Sequence, residues 1–510
     1  MTPIPSTQST LTRPEIESRI LGCLFGNAVG DAYGLATEFM SKESAFAHYG
    51  NGPIAFGGDE GHPVWIDSHR GKWDRNDFTD DTDQMLLILQ SLQQTANGRL
   101  HPTVFARRLK EWSVIGFPEM ETPPRGIGYT VGSTLSHPEF RYNPHRASFD
   151  IWNSRGRNLA ANGAVMRTSV LGVESFWDET RVVENALAAA KVTHADPRSI
   201  ISALIASVLI SRLLRGGGTN EHADSARVWN PRLRDSEYHE ELLEYLRRGT
   251  DIRTLDTLDP DYERDIGNEF KRKPVKQSVP PTIKYNFFNT VRGIVGGPSA
   301  PVSPKVEYST KRPRAIARDN IGWAGLDNVG EHDAMTALAR SVVSDYLFLI
   351  KETDVVPASV TITNPALQRT SEEQPRTIQE RWAEQLQANC FPESLHKLEL
   401  GDGEAMGYAY KCVGAGFYAV TRRIDPLPTD PNYEGTCGFF RGVTEVITLE
   451  AGDADTNMAV VGSLLGARHG LEGIPQNWWT GLKHFEFLTE TFNEFLARVM
   501  DSYEEVQAQQ

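Results

Sequence analysis

The sequence predicts an all-α protein, and three observations carry that prediction. Apolar residues recur at three- and four-residue spacing over long stretches, as one buried face of a helix requires. Few segments alternate apolar and polar residues in the manner of strands. No strand–helix–strand rhythm of the kind that builds a parallel sheet occurs.

Taken in order, Glu15 to Leu35 reads as the first helix. Gly22, Gly26 and Gly30 fall every four positions and line one of its faces. Such a stripe predicts close packing against another helix. Asp31 stands at the end of that stripe, either as a helix-end cap or as support for a site. Asp80 to Gln93 is the second strong helix, with Met85, Leu86, Leu89 and Leu92 on its apolar face. Pro102 to Trp112 is a third. Asp178 to Thr193 and Pro197 to Leu214 form a helical pair broken at His194 to Pro197. Asp455 to His469 is a further helix, ended by Gly470. Trp479 to Glu504 closes the chain with helical character.

The stretch 216–375 differs. It carries charge-rich and proline-rich segments, Lys271 to Pro281, Pro298 to Pro304 and Lys311 to Arg318, with one amphipathic helix at His332 to Lys351. We read it as a large insertion, partly loop. The expected organisation is a flexible N-terminus at 1–14 and a single domain built from 15–215 and 376–510.

Composition narrows the function classes. The chain has 510 residues, 39% apolar and 23% charged, enough to bury a full core. A formal net charge of −15 repels phosphate backbones and argues against nucleic-acid binding as the main activity. The four cysteines are widely spaced with no CxxC pair, so neither a disulfide scaffold nor a cysteine zinc site is expected. An intracellular, cytoplasmic or nuclear setting fits that usage. Residues 1–13 lack an apolar signal core, and no membrane span is expected.

The chemistry concentrates in two clusters, Thr79-Asp80-Asp81-Thr82 and Asp453-Ala454-Asp455-Thr456. Carboxylate and hydroxyl oxygens are hard ligands suited to divalent cations. Each cluster also begins a helix, where Asp and Thr serve equally as caps. An EF-hand fails for the second cluster, because Met458 stands where a glycine is needed and Leu464 where a bidentate glutamate is needed. No HExxH zinc motif and no GxSxG nucleophile elbow occur.

Five stretches, in order, resemble the ADP-ribosylglycohydrolases, the group that includes the dinitrogenase-reductase-activating glycohydrolases. They are Gly30-Asp31-Ala32-Tyr33-Gly34 with Glu38, Phe78 to Thr82, Asn162-Gly163-Ala164-Val165-Met166-Arg167, Thr193 to Pro197, and Gly452 to Asn457. The resemblance covers about residues 15 to 215 and 400 to 500. It implies an all-α fold holding two Mg²⁺ (or Mn²⁺) ions and a substrate that contains ADP-ribose. Thr79, Asp80 and Asp81 would supply one half of the ligands, and Asp453, Asp455 and Thr456 the other. Glu38 would act as general acid/base or proximal ligand, with Asp80 and Asp455 sharing the catalytic centre.

By the same resemblance Asp31, Asn162, Gly163, Met166 and His194 would lie at or beside the ligand. Arg167 would contact a phosphate or carboxylate, or form a structural ion pair. Gly126 and Gly128 of the Arg125-Gly126-Ile127-Gly128-Tyr129 stretch would let backbone N–H groups approach a pyrophosphate. The implied activity is hydrolysis at the 1″ position of ADP-ribose by metal-activated water. Cleavage of ADP-ribose 1″-phosphate at the same site, and ADP-ribose binding without cleavage, are the alternatives. Two departures stand out: Arg157 to Ala161 replaces the small residues expected before Asn162, and His194 and Asp453 are separated by more chain than the family needs.

Overall fold

The computed structural model describes residues 7–95, 98–248, 331–356, 377–423 and 435–509. Among these residues every regular element is helical, and β-type pairing is confined to isolated bridges.

Two helices, Arg13–Gly34 and Ala454–His469, run antiparallel through the centre. Gly22 faces Gly466, Gly26 faces Gly462, Gly30 faces Met458 and Gly34 faces Ala454. A methyl carbon on any of those four glycines of the first helix would sit under 3.0 Å from the facing backbone. The stripe read from the sequence therefore lets two backbones meet directly. The same pairing sets the first helix's end beside the start of Ala454–His469, where the second acidic cluster begins.

Around this pair pack Pro197–Leu214, Ala409–Thr421, Gly435–Thr448 and Phe485–Ala508. Pro197–Leu214 is long and apolar enough to cross a membrane, but every residue of it is buried among other helices. Asp80–Gln93 begins and ends where its periodicity predicts, with the Thr79 hydroxyl accepting from the Asp81 N–H at 3.3 Å.

The structure alters some boundaries. The closing helical stretch divides into Gln476–Thr480 and Phe485–Ala508, because His484 adopts a left-handed φ of 63° that no helix interior accepts. His332 to Lys351 likewise divides into Asp333–Tyr346 and Phe348–Lys351. The helices Lys42–Tyr49, Pro144–Ser154, Ile378–Cys390, Ala409–Thr421 and Gly435–Thr448 were not expected. Two of the five carry internal glycines, which lower helix propensity and are stabilised here by tertiary packing.

Residues 9 and 10, expected to be loose, are tied down. The Ser9 hydroxyl donates to the Leu214 carbonyl at 2.9 Å, and the Thr10 N–H donates to the Arg215 carbonyl at 3.2 Å. Both described flanks of the 216–375 stretch also join the core: Trp229, Tyr238, Leu242, Met335, Leu338 and Tyr346 are buried in it. A buried ion cluster fastens them. Arg212 and Arg215 reach Glu179 at 2.7 and 2.6 Å, and the Tyr346 hydroxyl donates to Glu179 at 2.8 Å. Burial alone would raise the Glu179 carboxyl, but the two guanidiniums outweigh it and hold it at about 2. The basic stretches from Lys271 to Arg318 lie outside the described residues.

Candidate metal centre

Glu38 lies in the turn that follows the first helix. That turn is stitched to the start of the second cluster: the Phe39 N–H donates to the Gly452 carbonyl at 2.6 Å, and the Gly452 N–H donates to Met40 at 3.0 Å. Gly452 sits at φ 75° with its α-carbon against the Leu400 carbonyl, so only glycine fits. Two residues of backbone pairing thus hold Glu38 beside Asp453. One carboxylate oxygen from each of Glu38, Asp453 and Asp455 lies within 4.8 Å of the others.

The first cluster is brought in by Asp31. Its carboxylate is wholly buried and accepts from the Thr79 N–H at 2.9 Å, the Thr82 N–H at 2.9 Å and the Thr82 hydroxyl at 2.6 Å. These bonds fix the start of Asp80–Gln93 against the first helix. The Thr79 hydroxyl then meets Asp455 at 3.3 Å, which joins the two clusters directly. Gln84, one turn after Asp80, donates to its carboxylate at 2.7 Å.

The carboxylates crowd one another. Burial, then Glu38, Asp31 and Asp83, raises the Asp80 carboxyl well above its ordinary range. Burial, then Asp31, Asp80 and Asp453, does the same to Asp81; burial, then Glu38, Asp81 and Asp453, does so to Asp455. Asp31 is pushed up to about 6 by burial, against the bonds from Thr82 and Thr79. Asp453 is pushed up to about 6 by burial and by Glu38. Among the described residues the one basic side chain against this group is that of His69, whose Nε2 lies 2.6 Å from Glu38.

Two oxygens, Asp81 Oδ2 and Asp455 Oδ1, are buried with no hydrogen-bond partner. An acceptor-only atom left unpaired in the interior is costly unless a cation meets it. Hard oxygen donors, unpaired and short of counter-charge, fit a divalent cation.

The remaining expected residues divide into those that face the centre and those beneath it. Asn162 faces it, donating to Asp453 Oδ2 at 2.8 Å, while its own N–H donates to the Gly407 carbonyl at 3.0 Å. Gly163 abuts His194: a methyl there would lie 3.3 Å from the ring. His194 is buried, with Nδ1 2.8 Å from the Thr193 hydroxyl and Nε2 without a partner. Burial, then Arg167, holds the imidazole well below its usual range, hence neutral. Gly126 and Gly128 are exposed with open space above them, and Arg125 is buried between Asp77 at 2.9 Å and Asp83 at 3.3 Å.

Arg167 lies under the centre rather than in it. It is wholly buried and donates to Gln84 at 2.6 Å, to the Thr193 hydroxyl at 2.6 Å and to the Ala189 carbonyl at 3.3 Å. It reaches Asp80 through Gln84, so its positive charge supports the cluster from below. Asp31 is a support in the same sense, because its bonds all go to protein groups. Met166 is buried, and its carbonyl accepts from Asn27 at 3.0 Å.

Sequence reading missed His69, Gln84 and Gly407. Gln84 was findable, since four residues after Asp80 on a helix is the same face. Gly407 abuts Asp453, whose Oδ2 would lie 3.4 Å from a methyl there, and its carbonyl accepts from the Asn162 N–H. Nothing local marks it, and nothing local marks His69.

Fold and centre together define an all-α protein with a buried acidic site suited to a cation. The chain belongs to the ADP-ribosylglycohydrolase family, whose model matches residues 12–283 and 325–509. That match runs into both flanks of the 216–375 stretch, beyond the motifs. The chain is 28% identical to the ADP-ribosyl-[dinitrogen reductase] glycohydrolase of Rhodospirillum rubrum, over 41% of this chain and 62% of the relative. It is 26% identical to the ADP-ribosylarginine hydrolase Tri1 of Serratia proteamaculans, over 42% and 53%. An uncharacterized protein of Archaeoglobus fulgidus is 30% identical over 38% and 56%. The chain thus spans a little over half the length of the curated relatives it matches.

Proposed function

We propose that this chain is a divalent-cation-dependent hydrolase that cuts the bond at the 1″ position of ADP-ribose in an ADP-ribosylated substrate. The carrying observation is the convergence of Glu38, Asp453 and Asp455 within 4.8 Å, beside buried carboxylate oxygens that no protein donor meets. Two Mg²⁺ or Mn²⁺ ions would be held by Thr79, Asp80 and Asp81 on one side and by Asp453, Asp455 and Thr456 on the other. Bound there, they supply positive charge that polarises the ribose oxygen and acidifies water.

The chain's own residues supply the rest. Glu38, beside Asp453 and Asp455, passes a proton to the departing acceptor. Asn162 orients Asp453. Asp31, Gln84 and Arg167 position the first cluster. The neutral His194 offers Nε2 to the ligand, and the open backbone at Gly126 and Gly128 receives the diphosphate. The names of the relatives, one acting on ADP-ribosylarginine and one on an ADP-ribosylated protein, support a protein-linked substrate.

The test is turnover of a panel of 1″-linked ADP-ribose substrates with Mg²⁺ or Mn²⁺, against the same reactions in EDTA. Wild type should be active only with metal. Glu38→Gln should lose about 10²–10⁴-fold in kcat while still binding ADP-ribose. Tight ADP-ribose binding with no turnover of any substrate would replace the enzyme with a non-catalytic reader.

A further inference from the structure

The stretch from Thr122 to Thr130, which carries Gly126 and Gly128, is held little by its own backbone. At its start Phe117 and Thr122 exchange backbone hydrogen bonds at 3.0 and 3.1 Å, and at its end the helix Tyr129–Leu135 begins. Residues 123–128 between them form no regular element. Among the described residues no backbone carbonyl accepts from the N–H groups of Arg125, Gly126, Ile127 or Gly128. The protein itself does not demand either glycine. Neither adopts a left-handed φ, and a methyl on either would meet no atom within 4 Å.

One buried side chain anchors this loop. From Pro123 to Tyr129 only Arg125 is buried. Its guanidinium pairs with Asp77 at 2.9 Å and with Asp83 at 3.3 Å, and it lies over the rings of Phe78 at 4.6 Å and Trp73 at 5.4 Å. Both carboxylates are held in turn: Trp112 Nε1 donates to Asp83 at 2.9 Å, and Lys483 pairs with Asp77 at 3.1 Å. Asp77 and Asp83 stand on either side of Thr79-Asp80-Asp81-Thr82. The arginine therefore fastens the loop to both ends of the first acidic cluster. Its side chain is 4% exposed, too buried to touch a phosphate lying over the glycines.

We infer that Arg125 is a positioning residue for the diphosphate. It sets the backbone of Gly126 and Gly128 at a fixed place relative to the first acidic cluster, so that one ligand reaches both. A planar fork is needed for this, because it spans two carboxylates and stacks on two rings, and the point charge of a lysine does not. The inference rests on the hydrolase reading above, in which this loop receives the diphosphate.

The experiment compares wild type with Arg125→Lys, Asp77→Asn, the double variant and Gly128→Ala. For each it measures ADP-ribose and Mg²⁺ affinity by calorimetry, kcat and KM on the best 1″-linked substrate of the panel above, and a thermal melt. Arg125→Lys should weaken ADP-ribose binding and raise KM by about tenfold, as loss of one hydrogen bond to a charged group would. Its kcat and Mg²⁺ affinity should stay within about twofold of wild type, the pattern of lost uniform binding. Asp77→Asn should do the same, and the double variant should lose no more than either single one, since both break one clamp. A lower melting temperature with unchanged ADP-ribose affinity, an equal loss in Mg²⁺ affinity, or additive losses in the double variant would each overturn the inference. Gly128→Ala tests the reading beneath it. A methyl there strikes no protein atom, so the melting temperature should not fall while ADP-ribose affinity drops. Unchanged affinity in Gly128→Ala, or no ADP-ribose binding by wild type, would overturn the reading of the loop rather than the role of Arg125.

Discussion

Asp31 and Asp453 show how single residues are placed under tension by this site. Each is pushed from the ordinary carboxylate range up to about 6, chiefly by burial. The folded chain therefore holds these protons more tightly than the unfolded chain does. Their contribution to stability is fully present below about pH 4 and is lost as pH rises through 6. A bound cation reverses that cost, because it favours the ionised form. The metal-free protein should thus melt lower at pH 7.5 than at pH 5. The rise in melting temperature on adding Mg²⁺ should be larger at pH 7.5. Melts in EDTA and in Mg²⁺ at both values check this; a metal increment that does not depend on pH would show that the buried carboxylates do not meet the ion.

At the scale of elements, the deciding contact is between Arg13–Gly34 and Ala454–His469. Replacing Gly462 by alanine gains about 1 kcal/mol of helix propensity. The added methyl, however, would strike the Gly26 carbonyl, which is backbone and cannot swing aside. Overpacking of that kind costs about 1–3 kcal/mol, so the clash should outweigh the propensity. Gly462→Ala should lower the denaturation midpoint. It should also weaken Mg²⁺ binding, because the same helix carries Asp455 and Thr456 at its start. Glu490, exposed on the Phe485–Ala508 helix, is the site for a control alanine substitution. A Gly462→Ala protein as stable as wild type would mean that the two helices can separate without penalty.

At the scale of the molecule, the acidic centre and the buried Glu179 cluster do different work. Glu179 pairs with Arg212 and Arg215 and accepts from Tyr346, which joins the Pro197–Leu214 and Asp333–Tyr346 helices. Glu179→Gln would leave the buried Arg215 without its counter-charge and Arg212 with only the partly exposed Asp345, 2.7 Å away, a change that costs about 3–5 kcal/mol. It should lower the denaturation midpoint more than Gly462→Ala does, yet leave the ADP-ribose affinity of the folded fraction unchanged. Chemical denaturation beside calorimetry would separate the two; loss of affinity without loss of stability would make the cluster part of the ligand site. The helical class, the Asp80–Gln93 and Pro197–Leu214 helices, the glycine stripe and both acidic clusters were legible in the sequence, because periodicity, caps and hard-ligand chemistry are local properties. The role of Arg167 was not: an arginine after a glycine-rich loop reads as a ligand contact until burial shows it bonded to Gln84 and Thr193 beneath the site. His69 was silent for the same reason, since nothing near it in the chain announces Glu38. The sequence by itself determined which residues could hold a cation and which helix faces could touch. Only the tertiary structure decided which carboxylates meet, because the glycine contact and the pairing of Phe39 with Gly452 bring together positions hundreds of residues apart, and no local pattern encodes that distance.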